Sequence, residues 1–214
     1  AFRLVKGWEV VETEQPELNA LAARWFESRL NEGIAEIEDL FGKFRISEAL
    51  MTVYRLFRDD FSAWYLDTIK PAYGSPIDAK TYRQVESFFD SLLRMLHPFM
   101  PFITEELWQA LAERKPGESI MYAPMPEAGT VDAEILAHMA VAQEIVNGVR
   151  GVRARKNISP KEVLPLLVLG KIDADTALFA SKLANLGAIT MDADKDAAAA
   201  SFMVGTLEFN VPQT

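Results

Sequence analysis

The sequence predicts a mainly α-helical protein, an antiparallel helical bundle with a small C-terminal α+β subdomain. Three observations predict it. Four segments bounded by proline and glycine repeat their apolar residues at helical spacing, the composition shifts after Ala123-Pro124-Met125-Pro126, and the residues beyond Pro160 alternate as short strands around one further helix.

Pro16 occupies a position that a first helical turn tolerates, and good helix formers run from Glu17 to about Phe41. Phe26, Leu30, Ile34, Ile37 and Phe41 fall within an arc of about 80° at 100° per residue, so that face is expected to be buried. A second helix from Ile46 to about Ile69 aligns Ile46, Leu50, Val53, Phe57, Phe61 and Trp64, then stops before Lys70-Pro71. After the loop signal Gly74-Ser75-Pro76, a third stripe is formed by Val85, Phe88, Phe89, Leu92 and Leu96 and runs into Pro98 and Pro101. A shorter helix with Ile103, Leu107 and Leu111 facing inward ends near Lys115-Pro116-Gly117. Four helices with short connections read as an antiparallel bundle.

A fifth helix is expected from Asp132 to about Arg155, with Val141, Ile145, Val149 and Val152 buried, and Ser159-Pro160 ends it. Val163 to Leu169 suits a strand, Thr176 to Leu186 a helix, and Ser201 to Val204 and Leu207 to Val211 a pair of strands. The resulting division is an N-terminal joining segment over 1–15, a helical bundle over 16–126, and a long helix plus small α+β subdomain over 127–214. There is no internal repeat.

With 214 residues, half of them hydrophobic, the chain can bury an ordinary core. The absence of cysteine excludes disulfides and thiolate zinc sites, and points to a reducing compartment. No stretch reaches the roughly 18 uncharged apolar residues of a membrane helix, and the first residues do not form a signal peptide, so a cytoplasmic protein without a membrane partner is expected. A net charge of −9 argues against a general nucleic-acid coat and leaves room only for a local basic patch.

Catalytic chemistry finds no support in the residue pattern. His97 and His138 lie on different predicted helices. Asp192, Asp194 and Asp196 mimic the opening of a calcium loop, yet Ala197 replaces its turn glycine and Met203 its closing glutamate. Asp59 and Asp60 are adjacent on a helix and point about 100° apart. No Gly-rich phosphate loop leads into Lys-Ser or Lys-Thr. Neither a metal nor a cofactor is therefore expected.

Two features suit nucleic acid. Trp25 lies off the apolar arc of the first helix and Arg29 follows on the same side, where an exposed indole beside a guanidinium can stack a splayed base and hold a phosphate. Leu18 and Leu21 share that side, which equally allows Trp25 to be core. At the end of the fifth helix Arg150, Arg153, Arg155 and Lys156 place four cations within seven residues, more than the helix dipole alone accounts for.

The run Leu96-His-Pro-Phe-Met-Pro-Phe-Ile-Thr-Glu-Glu-Leu-Trp108 is similar to a motif of the anticodon-binding domains of the valyl, isoleucyl and leucyl class I aminoacyl-tRNA synthetases. Asp59 to Leu66, Lys70-Pro71, Val149 to Pro160 and Ala23 to Leu30 resemble the valyl-tRNA synthetases in particular. The resemblance implies an antiparallel helical bundle of the class I synthetase anticodon-binding type that docks on the anticodon stem-loop of tRNA(Val). The parent enzyme would ligate valine to tRNA using ATP and Mg, in a monomer. The His-Ile-Gly-His and Lys-Met-Ser-Lys-Ser signatures are absent, so this chain is expected to be a non-catalytic fragment whose partners are tRNA(Val) and the catalytic domain of the same chain. By the same resemblance Trp25, with Phe26 as its neighbour, matches an aromatic that faces anticodon bases. Arg3 matches an arginine near the catalytic junction, and Pro98, Pro101 and Trp108 are structural. The tRNA-binding candidates are then Arg3, Arg24, Trp25, Arg29, Arg150, Arg153, Arg155 and Lys156. The competing expectation is a helical protein-interaction module that keeps the fold without binding RNA, as the acidic balance allows.

Overall fold

A computed structural model describes residues 1–212, and its contacts divide the chain into two units, Ala1–Asp132 and Ala133–Thr214. In the first, a short helix α1 (Phe2–Lys6) leads to β1 (Val10–Val11) and then to the long α2 (Glu17–Gly42). The chain returns through α3 (Ile46–Arg55), a π-helical segment (Leu56–Tyr65) and α4 (Leu66–Ile69). β2 (Ile77–Asp78) pairs in parallel with β1, and α5 (Ala79–Leu96) and α6 (Pro101–Leu111) complete the bundle. Asp78 caps α5 by accepting the Thr81 backbone N–H at 2.8 Å, and Pro101 sits in the first turn of α6, where its missing N–H costs nothing.

The core of this unit is aromatic. The Phe26 ring lies 5.0–5.2 Å from Phe61, Tyr65 and Phe88, and Phe61 and Phe57 in turn pack edge-on against Phe89. A single helical stripe over 46–69 does not describe the second helix. Ile46 is exposed, and the buried residues move to Leu56, Phe61 and Leu66, each five positions on. The cause is the π-helical pitch, in which Leu66 N–H bonds to Phe61 O rather than one residue nearer. In α6 the inward face is Thr104, Trp108 and Leu111, with Ile103 exposed, because the Trp108 indole N–H bonds to Asp90 at 2.6 Å and Arg114 covers its ring. Residues 127–132, which composition assigns to the second part, run back along α2 instead. Gly129 N–H donates to Asn31, Asn31 donates to Thr130 O, and Asp132 N–H donates to Ser28 Oγ.

The second unit is built from α7 (Ala133–Lys156), β3 (Leu164–Val168), α8 (Ala174–Ala184), β4 (Leu186–Thr190), β5 (Ala200–Val204) and β6 (Leu207–Val211). The sheet order is β4-β3-β6-β5. β3 and β4 are parallel and joined through α8, while β6 is antiparallel to both β3 and β5. Gly205, at φ 57°, supplies the left-handed residue of the two-residue turn between β5 and β6. Phe202 and Phe209 stack at 5.2 Å, and a Cβ on Gly148 of α7 would fall 2.2 Å from the Phe202 ring, so that glycine lets helix and sheet close. Val141, expected inside, is exposed, while Ile145, Val149 and Val152 are buried as the spacing predicts. Among the described residues no helix is long and apolar enough to cross a membrane.

Candidate nucleic-acid interface

The structure corrects the reading of Trp25 as an open stacking surface, since its indole is 2% exposed and packs beside Phe26 at 6.2 Å. The reason is that α2 buries more than the 80° arc: Leu21, Ala22, Trp25 and Ser28 are covered as well as Phe26, Leu30 and Ile34. On one side Arg24, Ser28 and Asn31 hold the returning segment that ends at Asp132. Neither Trp25 nor Phe26 presents a free ring.

Arg29 is half-buried and spent on carboxylates, donating to Glu32 at 2.5 Å and to Asp60 at 3.1 Å. Burial works against its charge, but Asp60 and Glu32 outweigh it and hold the guanidinium pKa above its ordinary value; burial raises Asp60 against the pull of Arg29. Arg24 donates to Asp132 at 2.7 Å on the exposed surface, where such a pair is worth about 0–1 kcal/mol and leaves the cation open to competition from a phosphate. Arg3 is exposed on α1 and lines a surface cleft with Leu4, Trp8, Lys70 and Tyr73.

The C-terminal end of α7 presents a different arrangement. Arg150, Arg155 and Lys156 are exposed, whereas Arg153 is 6% exposed, which corrects its placement among the open cations. Its guanidinium donates to four backbone carbonyls, Ser159 at 2.7 Å, Glu162 at 2.8 Å, Ala184 at 3.1 Å and Asn185 at 3.2 Å. Burial pushes its pKa down, opposed by Glu162. Asn185, left-handed at φ 52° as the C-cap of α8, adds bonds from its amide to Pro160 and Glu162 carbonyls. Arg153 therefore ties the segment after α7 to the end of α8. Nothing in local sequence separates it from its exposed neighbours except its place on the Val149/Val152 side of the helix.

The remaining candidates for chemistry stay structural. His97 Nδ1 lies 2.8 Å from Thr104 Oγ1 and joins the ends of α5 and α6. His138 meets Asp173 at 3.3 Å and Asp175 at 3.5 Å, a trio brought together from residues about 35 apart in the chain, which spacing does not reveal. Asp173 is already the N-cap of α8, accepting Asp175 N–H at 2.8 Å, and the positive end of a helix opposes a bound cation. Asp59 points to Arg58 and Asp60 to Arg29, so these neighbours form no carboxylate pair.

The first unit is thus a helical bundle, and the second is built on a long helix whose C-terminal end carries exposed Arg150, Arg155 and Lys156. The family described as the anticodon-binding domain of tRNA ligase matches residues 23–168, and the chain belongs to it. Within that family it is 51% identical over 213 residues, 99% of its own length, to the valine-tRNA ligases of Parabacteroides distasonis and Porphyromonas gingivalis. It is 33% identical over 90% of its length to that of Fusobacterium nucleatum. The chain spans about a quarter of the length of these relatives, 24%, 24% and 23% respectively. Family membership favours tRNA over the protein-interaction alternative.

Proposed function

We propose that the chain is the part of a cytoplasmic valine-tRNA ligase that binds the anticodon arm of tRNA(Val), working beside the catalytic part of the same polypeptide in a monomeric enzyme. The whole enzyme would join valine to tRNA at the expense of ATP with Mg, and this region would supply affinity and orientation. The observation that carries the reading is the family match over 23–168, supported by the identity of about half to valine-tRNA ligases along nearly the whole chain. Arg150, Arg155 and Lys156 are the proposed phosphate contacts of the second unit, and Arg3 and Arg24 those of the first; Arg29, tied to Glu32 and Asp60, supports the first unit with Trp25, and Arg153 the second. Phosphate contacts of this kind set register and affinity without reading sequence.

Anisotropy titration of the 214-residue chain against tRNA(Val), and against the same tRNA with its anticodon exchanged, tests the proposal. Tighter binding to tRNA(Val), weakening steeply with salt, is expected. Equal and feeble binding to both would remove it.

A further inference from the structure

The loop after α7 is held more firmly than its exposure requires. Asn157, left-handed at φ 57°, ends the helix, and Ile158 N–H returns to Arg153 O at 2.9 Å. Within the loop Glu162 N–H donates to Ser159 O at 3.1 Å and Lys161 N–H to Ser159 Oγ at 3.3 Å. The Arg153 guanidinium holds the carbonyls of Ser159 and Glu162, and the Asn185 amide those of Pro160 and Glu162, each at 3.2 Å. The Pro160 ring fixes a further backbone angle.

Lys161 is the residue that this clamp presents. The carbonyls on either side of it, those of Pro160 and Glu162, are both held, while its own side chain is exposed and its ammonium has no partner among the described residues. Glu162, the acid next to it, draws on Arg153. From 153 to 162 the sequence sets four cations, Arg153, Arg155, Lys156 and Lys161, against that one acid, in a chain whose net charge is −9. Arg153 itself lies too deep to meet a ligand, so its fork of donors acts on the loop.

We infer that Lys161 is a further phosphate contact of the second unit and that Arg153 is the positioning residue that sets it beside the end of α7, resting on the reading of this chain as a tRNA-binding module. A cation on a loop fixed in advance loses less conformational freedom on binding than one on a loop that must first be ordered. Its charge adds to those of Arg155 and Lys156 in the local field, with no acid of its own to cancel it. Such a contact supplies affinity and register and reads no base, so it serves any tRNA equally.

The test titrates the 214-residue chain against tRNA(Val), and against the same tRNA with its anticodon exchanged, over a range of salt. Lys161→Gln is expected to bind both about threefold to tenfold more weakly at low salt and to lower the slope of log affinity against log salt by about 0.9. Lys161→Arg should keep the parent's affinity and slope. Two substitutions loosen the loop without changing charge. Asn185→Gly keeps the left-handed C-cap of α8 but removes the amide that holds Pro160 and Glu162, and Arg153→Lys keeps the charge but loses the planar fork. Each should weaken binding about threefold at a temperature where circular dichroism shows it folded, and Asn185→Gly carries the comparison if Arg153→Lys does not fold. In either background Lys161→Gln should cost no more than about a further twofold, whereas Lys156→Gln should cost as much as in the parent. Lys161→Gln with the parent's affinity and slope, in a chain that does bind tRNA(Val), overturns the inference and leaves the tRNA reading standing. A loss from Lys161→Gln that is undiminished in the loosened backgrounds overturns the positioning role of Arg153. A parent chain that binds neither tRNA overturns the inference and the reading it rests on together.

Discussion

α2 and the end of α7 each carry arginines suited to an RNA surface, and they spend them in opposite ways. Arg29 on α2 is matched by Glu32 and Asp60, so its local charge is cancelled. Arg153 on α7 is deeper, and its hydrogen bonds go to neutral carbonyls, so its charge, drawn on by Glu162 but not tied to two carboxylates as Arg29 is, adds to that of exposed Arg155 and Lys156. What matters for a phosphate is therefore the charge left after internal pairing, and an arginine bound to carbonyls still contributes to the field. In an acidic chain this distinction decides which helix remains basic.

The largest effect that would sharpen the comparison is expected at Trp25. Truncation to alanine removes a buried indole and should cost the first unit about 3–5 kcal/mol in urea unfolding. Tested at a temperature where the variant remains folded, it should bind cognate and exchanged-anticodon tRNA in the same ratio as the parent. Loss of that ratio with unchanged stability would return Trp25 to the RNA surface.

Next comes Arg153. Replacement by alanine leaves carbonyls of Ser159, Glu162, Ala184 and Asn185 without their donor and should destabilise the second unit by about 2–3 kcal/mol. Arg153→Lys keeps the charge but lacks the planar fork, and should recover only a minor part of the loss. Amide exchange between Ile158 and Glu162 reads the effect locally: protection should fall in both variants. By contrast Arg155→Gln and Lys156→Gln should leave thermal unfolding within about 0.5 kcal/mol of the parent. They should lower the slope of log affinity for tRNA against log salt by about 0.9 for each lost phosphate contact. If Arg155→Gln and Lys156→Gln changed neither affinity nor slope, the end of α7 would lose its proposed role.

How far the sequence discloses these surfaces follows from what each element depends on. α2, α5 and α7 follow from periodicity and proline boundaries, and the β5–β6 hairpin from alternation about Gly205. The π-helical stretch is hidden because Phe57, Phe61 and Trp64 satisfy an α-helical stripe on paper, while the bonds that shift burial to Leu56, Phe61 and Leu66 depend on tertiary packing. β1 and β2 are two residues each and carry no periodicity; β4, with Gly187 and Ala188 exposed, has no apolar alternation. The cluster at the end of α7 was visible as charge, but which member turns inward was set by carbonyls of Ala184 and Asn185, some thirty residues away. The width of the buried face on α2 likewise depends on a segment a hundred residues later, from Gly129 to Asp132. Such long-range coverage leaves no local signature.

The smallest predicted effect concerns Glu105 on α6, outside both RNA-binding surfaces. It accepts from Ser119 Oγ at 2.6 Å and from Ile120 N–H at 3.1 Å, and so anchors the 3₁₀ turn Ile120–Tyr122 against its helix. The bond from Ser119, helped by Gln109 and Ile120, holds its pKa below the ordinary carboxylate value against slight desolvation. A carboxylate whose folded pKa is depressed binds fewer protons folded than unfolded, so its contribution is present above the unfolded value and fades as pH falls through the folded one. Glu105→Gln should therefore be less stable than the parent near neutral pH, and the gap should narrow as pH falls below the ordinary carboxylate range. Because Glu105 bonds to Ser119 and Ile120 and to none of the proposed phosphate contacts, tRNA affinity at neutral pH should not change. A gap independent of pH would show that Ser119 and Ile120 recognise the shape of the side chain rather than its charge.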